Sequence, residues 1–207
     1  MKSLIHPGYF PSIAHFVVIA KNTDQLLIEM EDNYQKQTYR NRLYIYGANG
    51  KQVLTVPIKH SGENRQKYKD VKIENNFDWQ KQHWKSLQTA YRTSPFFEFY
   101  EDELQPLFEK KHNFLLDLNF QTIDLISECL QLDFIFDKTT SYEKEPQEIH
   151  DFRKLIIAKK ETTYSFEKYT QVFQDKHGFI ENLSILDLLF NEGTNAISYL
   201  ENQQISL

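Results

Sequence analysis

The sequence predicts an α/β protein, with α+β as the alternative arrangement, and three observations carry that prediction. Strand-like and helix-like runs alternate between Leu4 and Glu31, a β-rich pair flanks Asn49-Gly50, and from Trp79 onward apolar residues recur at helical spacing. Together they describe a mixed β-sheet with a β-hairpin in the N-terminal half, covered by a helical C-terminal half. One domain over residues 1–207 accommodates both, with 1–78 mostly β around one helix and 79–207 mostly helical.

Leu4 to Tyr9 reads as a short buried strand that Pro7-Gly8 brings to an end. Pro11 and Ser12 suit a helix start, and Ile13, Phe16, Val17 and Ala20 fall on one face of the helix that follows. Asp24 to Glu31 reads as the next strand. Strand, helix and strand at this spacing imply a parallel crossover. Leu43 to Tyr46 and Gln52 to Ile58 then flank Asn49-Gly50, a dipeptide that tolerates the positive φ of a tight hairpin. Ser61 to Asp70 is a polar loop, and "VKIEN" is a further short strand.

Asp78 is a good N-cap for the first C-terminal helix, which carries Trp84, Leu87 and Tyr91 on one face. A second helix starts at Ser94-Pro95. The best amphipathic helix lines Leu115, Leu118, Thr122, Ile123, Ile126, Cys129 and Leu130 along one side. "DFIF" is the expected final strand, and Asp137 to Asp151, almost without apolar residues, is expected as an exposed loop or partly disordered. "FEKYTQVFQDKHGF" reads as a helix stopped by Gly178. "NLSILDLLFNEG" and "NAISYLENQ" read as short helices, and an exposed apolar patch on the first of them would favour a scaffolding role.

Composition narrows function by exclusion. A net charge of −5 gives no global basic field for nucleic acid or anionic lipid, so neither partner is expected and any anion site must be a local cluster. No run approaches the length of a membrane span, and the N-terminus lacks the apolar stretch of a signal peptide. A single cysteine excludes an internal disulfide and a Cys-based zinc site. These points agree on a bacterial-type cytoplasm. Cys129 sits on an apolar helix face and reads as core rather than nucleophile.

The local cluster exists. Lys36, Arg40 and Arg42 fall within seven positions. If the strand already begins there, Arg40 and Arg42 share one face and Asn41 takes the other. Two guanidiniums with Lys36 nearby suit a phosphate or carboxylate; equally, Lys and Arg beside a hairpin keep an edge strand from pairing with other chains. His6 lies at a strand end with Tyr9 and the helix start, and Glu29, Glu31 and Asp32 lie at the end of the next strand. Parallel sheets gather ligands outside their carboxyl ends, where His6 beside Glu31 or Asp32 suits proton transfer. A hydrogen-bonded structural histidine is the simpler alternative. Trp79 and His83, four apart on one helix face, offer a stacking edge for a sugar or base if exposed, with Trp84 assigned to the core.

No phosphate loop, nucleophile elbow, metalloprotease helix or dinucleotide fingerprint is present, no metal-ligand set can be placed, and no cofactor is assigned. The Glu101-Asp102-Glu103 run is a solvated helix start.

Taken together, "HPGYFPSIAHF", "IEMEDNYQKQTYRNRLYI" and "ANGKQVLTVPI" resemble the WbqC-like protein family. That family opens on a Gln/His-Pro-x-Tyr-x-Pro element and a helix. An acidic strand end, a Lys, an Asn-Arg pair, a Gly turn and a Leu-Thr/Ser-Val/Ile-Pro strand follow. The matching positions are His6, Pro7, Tyr9 and Pro11; Glu31 and Asp32; Lys36, Asn41 and Arg42; Asn49-Gly50; and Leu54 to Ile58. Gly8 departs from the bulkier or polar residue common at its position. The Trp79–His83 helix and the Tyr91–Phe96 join resemble the family's middle section. The resemblance implies an aminoacyl- or acyl-transferase that modifies an amino sugar or sugar nucleotide in surface-polysaccharide biosynthesis. Under it, Lys36, Arg40 and Arg42 hold an anionic or sugar-linked small molecule, His6 with Glu31 or Asp32 moves protons, and Trp79 is a stacking surface. A non-catalytic ligand-binding or scaffolding protein is the alternative.

Overall fold

A computed structural model describes residues 1–62, 65–158 and 163–205 and has the α/β architecture. In chain order the elements are β1 (Lys2–Ile5), α1 (Ile13–Lys21), β2 (Leu26–Ile28), β3 (Arg42–Gly47), β4 (Gly50–Thr55), α2 (Trp79–Tyr91), α3 (Phe97–Glu109), α4 (Leu115–Leu130), β5 (Phe136–Lys138), β6 (Ile149–Asp151), α5 (Gln174–His177), α6 (Ile185–Glu192) and α7 (Ala196–Asn202). Short 3₁₀ turns occur at Tyr68–Asp70, Arg153–Ile156 and Gly193–Asn195.

β1, α1 and β2 form the parallel crossover that their spacing implies, with Leu4 beside Leu27. The sheet is four-stranded, in the order β5-β2-β1-β6, and every pairing is parallel. α1 is buried from Ile13 to Ala20, with His15 the one polar side chain in that run, as expected of a helix covered on every side. It packs against α6 and α7. β3 and β4 form a separate antiparallel hairpin closed at Gly47 and Gly50, where Gly50 takes φ +96°.

Several expectations need correction. Two of the four strands of the parallel sheet come from the C-terminal half, so the chain does not divide into a sheet half and a helical cover. Residues 137–151 include the end of β5 and all of β6. The reason is physical: these are mostly exposed three-residue strands held by backbone bonds, with too few apolar side chains to leave a period-two signal. "VKIEN" makes only isolated bridges, Ile73 to Ile58 and Lys72 to Phe114. The helix expected before Gly178 shrinks to α5, and Gly178 follows it at φ +74°. Ile185 to Phe190 is entirely buried, so α6 presents no apolar patch to solvent. Glu63 and Asn64, in the loop expected over Ser61–Asp70, lie outside the described residues.

The segment from 29 to 41 positions the site. It leaves the carboxyl end of β2 and bonds to a neighbouring stretch: the Tyr34 N–H donates to the Gln66 carbonyl and the Tyr68 N–H to the Asp32 carbonyl. It then turns through Gln37, at φ +62°, where the Thr38 hydroxyl donates to the Gln35 carbonyl, and enters β3.

Candidate functional site

The carboxyl ends of β1 and β2 deliver His6 and Asp32, and Arg40 reaches back between them. Arg40 Nη2 donates to Asp32 Oδ2 at 2.7 Å, and the same oxygen lies 3.2 Å from His6 Nε2. All three side chains are buried, Arg40 completely. Burial lowers the His6 pKa to about 4 against the opposing hydrogen bond to Asp32, and Arg40 adds to the lowering. His6 is therefore neutral at pH 7. Arg40 Nη2 also lies 3.1 Å from His6 Nε2, and one nitrogen cannot both donate to Asp32 and accept from Arg40. We assign the proton to Nε2, because Asp32 is acceptor-only when ionised and Arg40 already has it as partner. Burial alone would raise the Asp32 carboxyl; His6, Arg40 and the Asn33 N–H together hold it below the usual range.

A second arginine completes the carboxyl edge. Arg153, just after β6, donates from Nε and Nη2 to Asp151, from Nη1 to Glu29 and the Glu143 carbonyl, and from Nη2 to the Lys144 carbonyl. Glu29, buried after β2, also accepts from the Thr139 hydroxyl and the Glu31 N–H. Every N–H of the Arg153 guanidinium is used, which marks it as a structural staple. Arg40 differs: its Nε and Nη1 are buried without a partner among the described residues, although its guanidinium stacks over Tyr68 at 5.3 Å. Asn119 of α4 holds the Arg40 carbonyl at 2.7 Å and bonds Tyr68 as well, and Tyr68 in turn donates to the Pro7 carbonyl.

Next along the chain lies an open cleft of about 520 Å³. Tyr34, Lys36, Gln37, Asn41, Arg42 and Lys59 are among the residues lining it, together with Ile58 and His60. Asn41 explains the assembly. Its carbonyl accepts from the Val56 N–H and its side chain donates to the Val56 carbonyl, pinning the exit of β4 against the entry of β3. Residues 58–60 thereby run beside Arg42. Among the described residues no carboxylate lines the cleft.

The sequence-predicted residues thus separate into three groups, with Glu31 apart from all of them. Lys36, Asn41 and Arg42 line the cleft; His6, Asp32 and Arg40 form a buried cluster, and none of the three lines the cleft. Glu31 turns elsewhere, paired with Lys69 at 2.7 Å while its carbonyl accepts from Lys67. Tyr9, Trp79 and His83 form a third, buried group: the Tyr9 hydroxyl lies 3.0 Å from His83 Nδ1, and Trp79 packs edge-on to both rings. Trp79 is only 3% exposed, so the exposed stacking edge expected there does not exist, and Trp84 is the more accessible of the two tryptophans. The cause is Tyr9, which follows Gly8 beneath α2. At Gly8 a Cβ would stand 3.1 Å from the Tyr39 carbonyl, which accepts the Tyr9 N–H.

Sequence reasoning missed Arg153, Tyr34, Lys59, Tyr68 and Asn119. Only Lys59 had a local signal, as a cation just past the hairpin. The others depend on contacts between distant segments. Cys129 is partly buried, its thiol pushed up to about 11 by burial.

The parallel sheet thus carries a buried His–Asp–Arg cluster at its carboxyl edge, and the chain forms a separate cleft lined by Lys36, Arg42 and Lys59. The chain belongs to the WbqC-like protein family, whose model matches residues 6–167 and 145–199. It is 27% identical over 224 aligned positions to a protein of Mycobacterium tuberculosis (strain ATCC 25618 / H37Rv) described as uncharacterized protein Rv1507c, with 96% of each chain covered. No solved structure matches it. Among the described residues, no helix is long and apolar enough to cross a membrane, and no group of His, Cys, Asp and Glu is placed to hold a metal ion.

Proposed function

We propose that the protein is an aminoacyl- or acyl-transferase acting on an amino sugar or sugar nucleotide in bacterial surface-polysaccharide biosynthesis. One observation carries this reading: a cleft lined by Lys36, Arg42 and Lys59, with no described carboxylate, includes Asn41, the chain neighbour of Arg40, and Arg40 pairs with the ionised Asp32 that also contacts a neutral His6. The cleft holds the anionic part of the substrate. As the amine or hydroxyl of the acceptor forms its new bond to the acyl carbon, its proton passes toward His6. The bond to the donor's leaving group breaks, and that group departs with the electron pair. Asp32 fixes the imidazole tautomer and Arg40 holds Asp32 ionised. Glu31, engaged with Lys69, has no part in this assignment.

A second reading, ligand binding without catalysis, is favoured by one fact: His6, Asp32 and Arg40 are buried and none of them lines the cleft. A thermal-shift series with sugar nucleotides, aminoacyl donors and acyl-CoAs tests both. Stabilisation by a donor and an acceptor, with product formation lost in His6→Gln but binding kept, supports the transferase. Binding with no turnover for any donor leaves the second reading. No stabilisation by any compound, with Arg42→Ala behaving as wild type, removes both.

A further inference from the structure

The charge balance of the cleft specifies more than an anion. Elsewhere in the chain Lys69, Arg92 and Arg153 are ion-paired, while lysines such as Lys81 and Lys85 have no carboxylate pair among the described residues. Lys36, Arg42 and Lys59 have no carboxylate partner among the described residues, although acidic residues outnumber basic ones, 29 to 24. Arg42 Nε is buried and unpartnered, so one edge of this guanidinium is desolvated without compensation. Three cations around one opening exceed what a single carboxylate neutralises. Among the described residues the remaining wall has no carboxylate. Tyr34 and Ile58 contribute ring and aliphatic surface, and burial pushes the Tyr34 phenol up to about 12, leaving it a neutral donor beside Arg42.

We infer that the cleft binds a diphosphate group, carried by a nucleoside diphosphate or another diphosphate ester, with its ring lying toward Tyr34 and Ile58. A diphosphate is compact and brings more negative charge than a carboxylate, and its oxygens suit both the forked Arg42 and the point charges of Lys36 and Lys59. The inference rests on the cleft being the substrate site and adds to that reading the chemical group it holds. Lys36 comes from the turn at Gln37, Arg42 from the start of β3 and Lys59 from beyond β4, so the three are brought together by the hairpin rather than by a loop motif.

Isothermal titration of the full chain with inorganic pyrophosphate, uridine diphosphate, acetate and glucuronate tests it. Pyrophosphate and uridine diphosphate should bind and compete with each other, and Lys36→Ala and Lys59→Ala should each weaken pyrophosphate by roughly tenfold. Both lysines are exposed, so these variants keep the fold. If glucuronate or acetate binds through Arg42 while pyrophosphate neither binds nor competes, the diphosphate assignment is wrong and the cleft still stands as the substrate site. If pyrophosphate binds equally well to both lysine variants, its site lies elsewhere and the inference fails. If no anion binds, the inference and the reading beneath it fall together.

Discussion

Arg40 donates to Asp32 across 2.7 Å from a position with no solvent exposure, and this pair anchors the carboxyl edge of the sheet. Removing one member strands the other charge. Asp32→Asn is expected to cost about 3–5 kcal/mol, whereas a double change with Arg40→Met should recover much of that, since no unpaired charge remains buried. Urea denaturation of wild type and both variants measures the difference. An Asp32→Asn protein as stable as wild type would contradict the buried pairing.

Acid should destabilise the protein over a defined window. Burial lowers His6 to about 4, His15 to about 3, with His6 itself adding to the effect, and His83 to about 4. Each is bound by fewer protons in the folded state than in the unfolded state, where the ordinary value is 6.5. Their contribution to stability is therefore complete above pH 6.5 and falls as pH drops toward 3–4. Asp32 and Asp151, held below their ordinary 3.8, add a further loss as the pH falls below that value. Asp187, raised by burial, acts in the opposite sense: its contribution is greatest below 3.8 and is lost as pH rises through its folded value. Denaturant midpoints between pH 7 and pH 4 should fall steadily; a flat profile would show that these histidines are not buried and neutral.

Asp187 also organises the second half of the chain. It accepts from Tyr91 at 2.8 Å, Tyr169 at 2.5 Å and Gln171 at 2.9 Å, and the Tyr91 oxygen accepts the Tyr46 N–H of the hairpin. Asp187→Ala leaves those donors without an acceptor, at about 1–3 kcal/mol for each that finds no other. The loss should appear in thermal melting together with faster amide exchange at Tyr46.

Arg153 ties the 143–144 carbonyls to Asp151 and Glu29. Arg153→Ala should therefore raise hydrogen exchange across residues 139–151 while the β3–β4 hairpin keeps its protection. Equal exchange in the two proteins would mean that the backbone pairing of β6 with β1 holds this stretch unaided.

The parts legible in the sequence were those governed by local rules. The hairpin follows from Asn49-Gly50, the crossover from the spacing of Leu4, α1 and Leu26, and α4 from its apolar stripe. Lys36, Asn41 and Arg42 could be singled out because charge density is visible along a chain. β6 was not legible, since a three-residue strand, two of its residues exposed, pairs through its backbone and carries no side-chain period. Nor was the fate of Trp79, because burial of a helix face depends on what packs beneath it, here Tyr9 from far upstream in the chain.

Sequence alone therefore determined which groups this protein has available: a short basic cluster in an acidic chain, a histidine at a strand end, and one buried-type cysteine. Tertiary structure decided how they are shared out. Asp32 neutralises Arg40 and leaves Arg42 unpaired, although the two arginines stand two positions apart and look equivalent in the sequence. The difference arises because the chain enters β3 between them, which turns one guanidinium into the sheet's carboxyl edge and the other into the cleft. Pairing depends on distances of a few ångströms across segments far apart in sequence, and only the folded chain sets those distances.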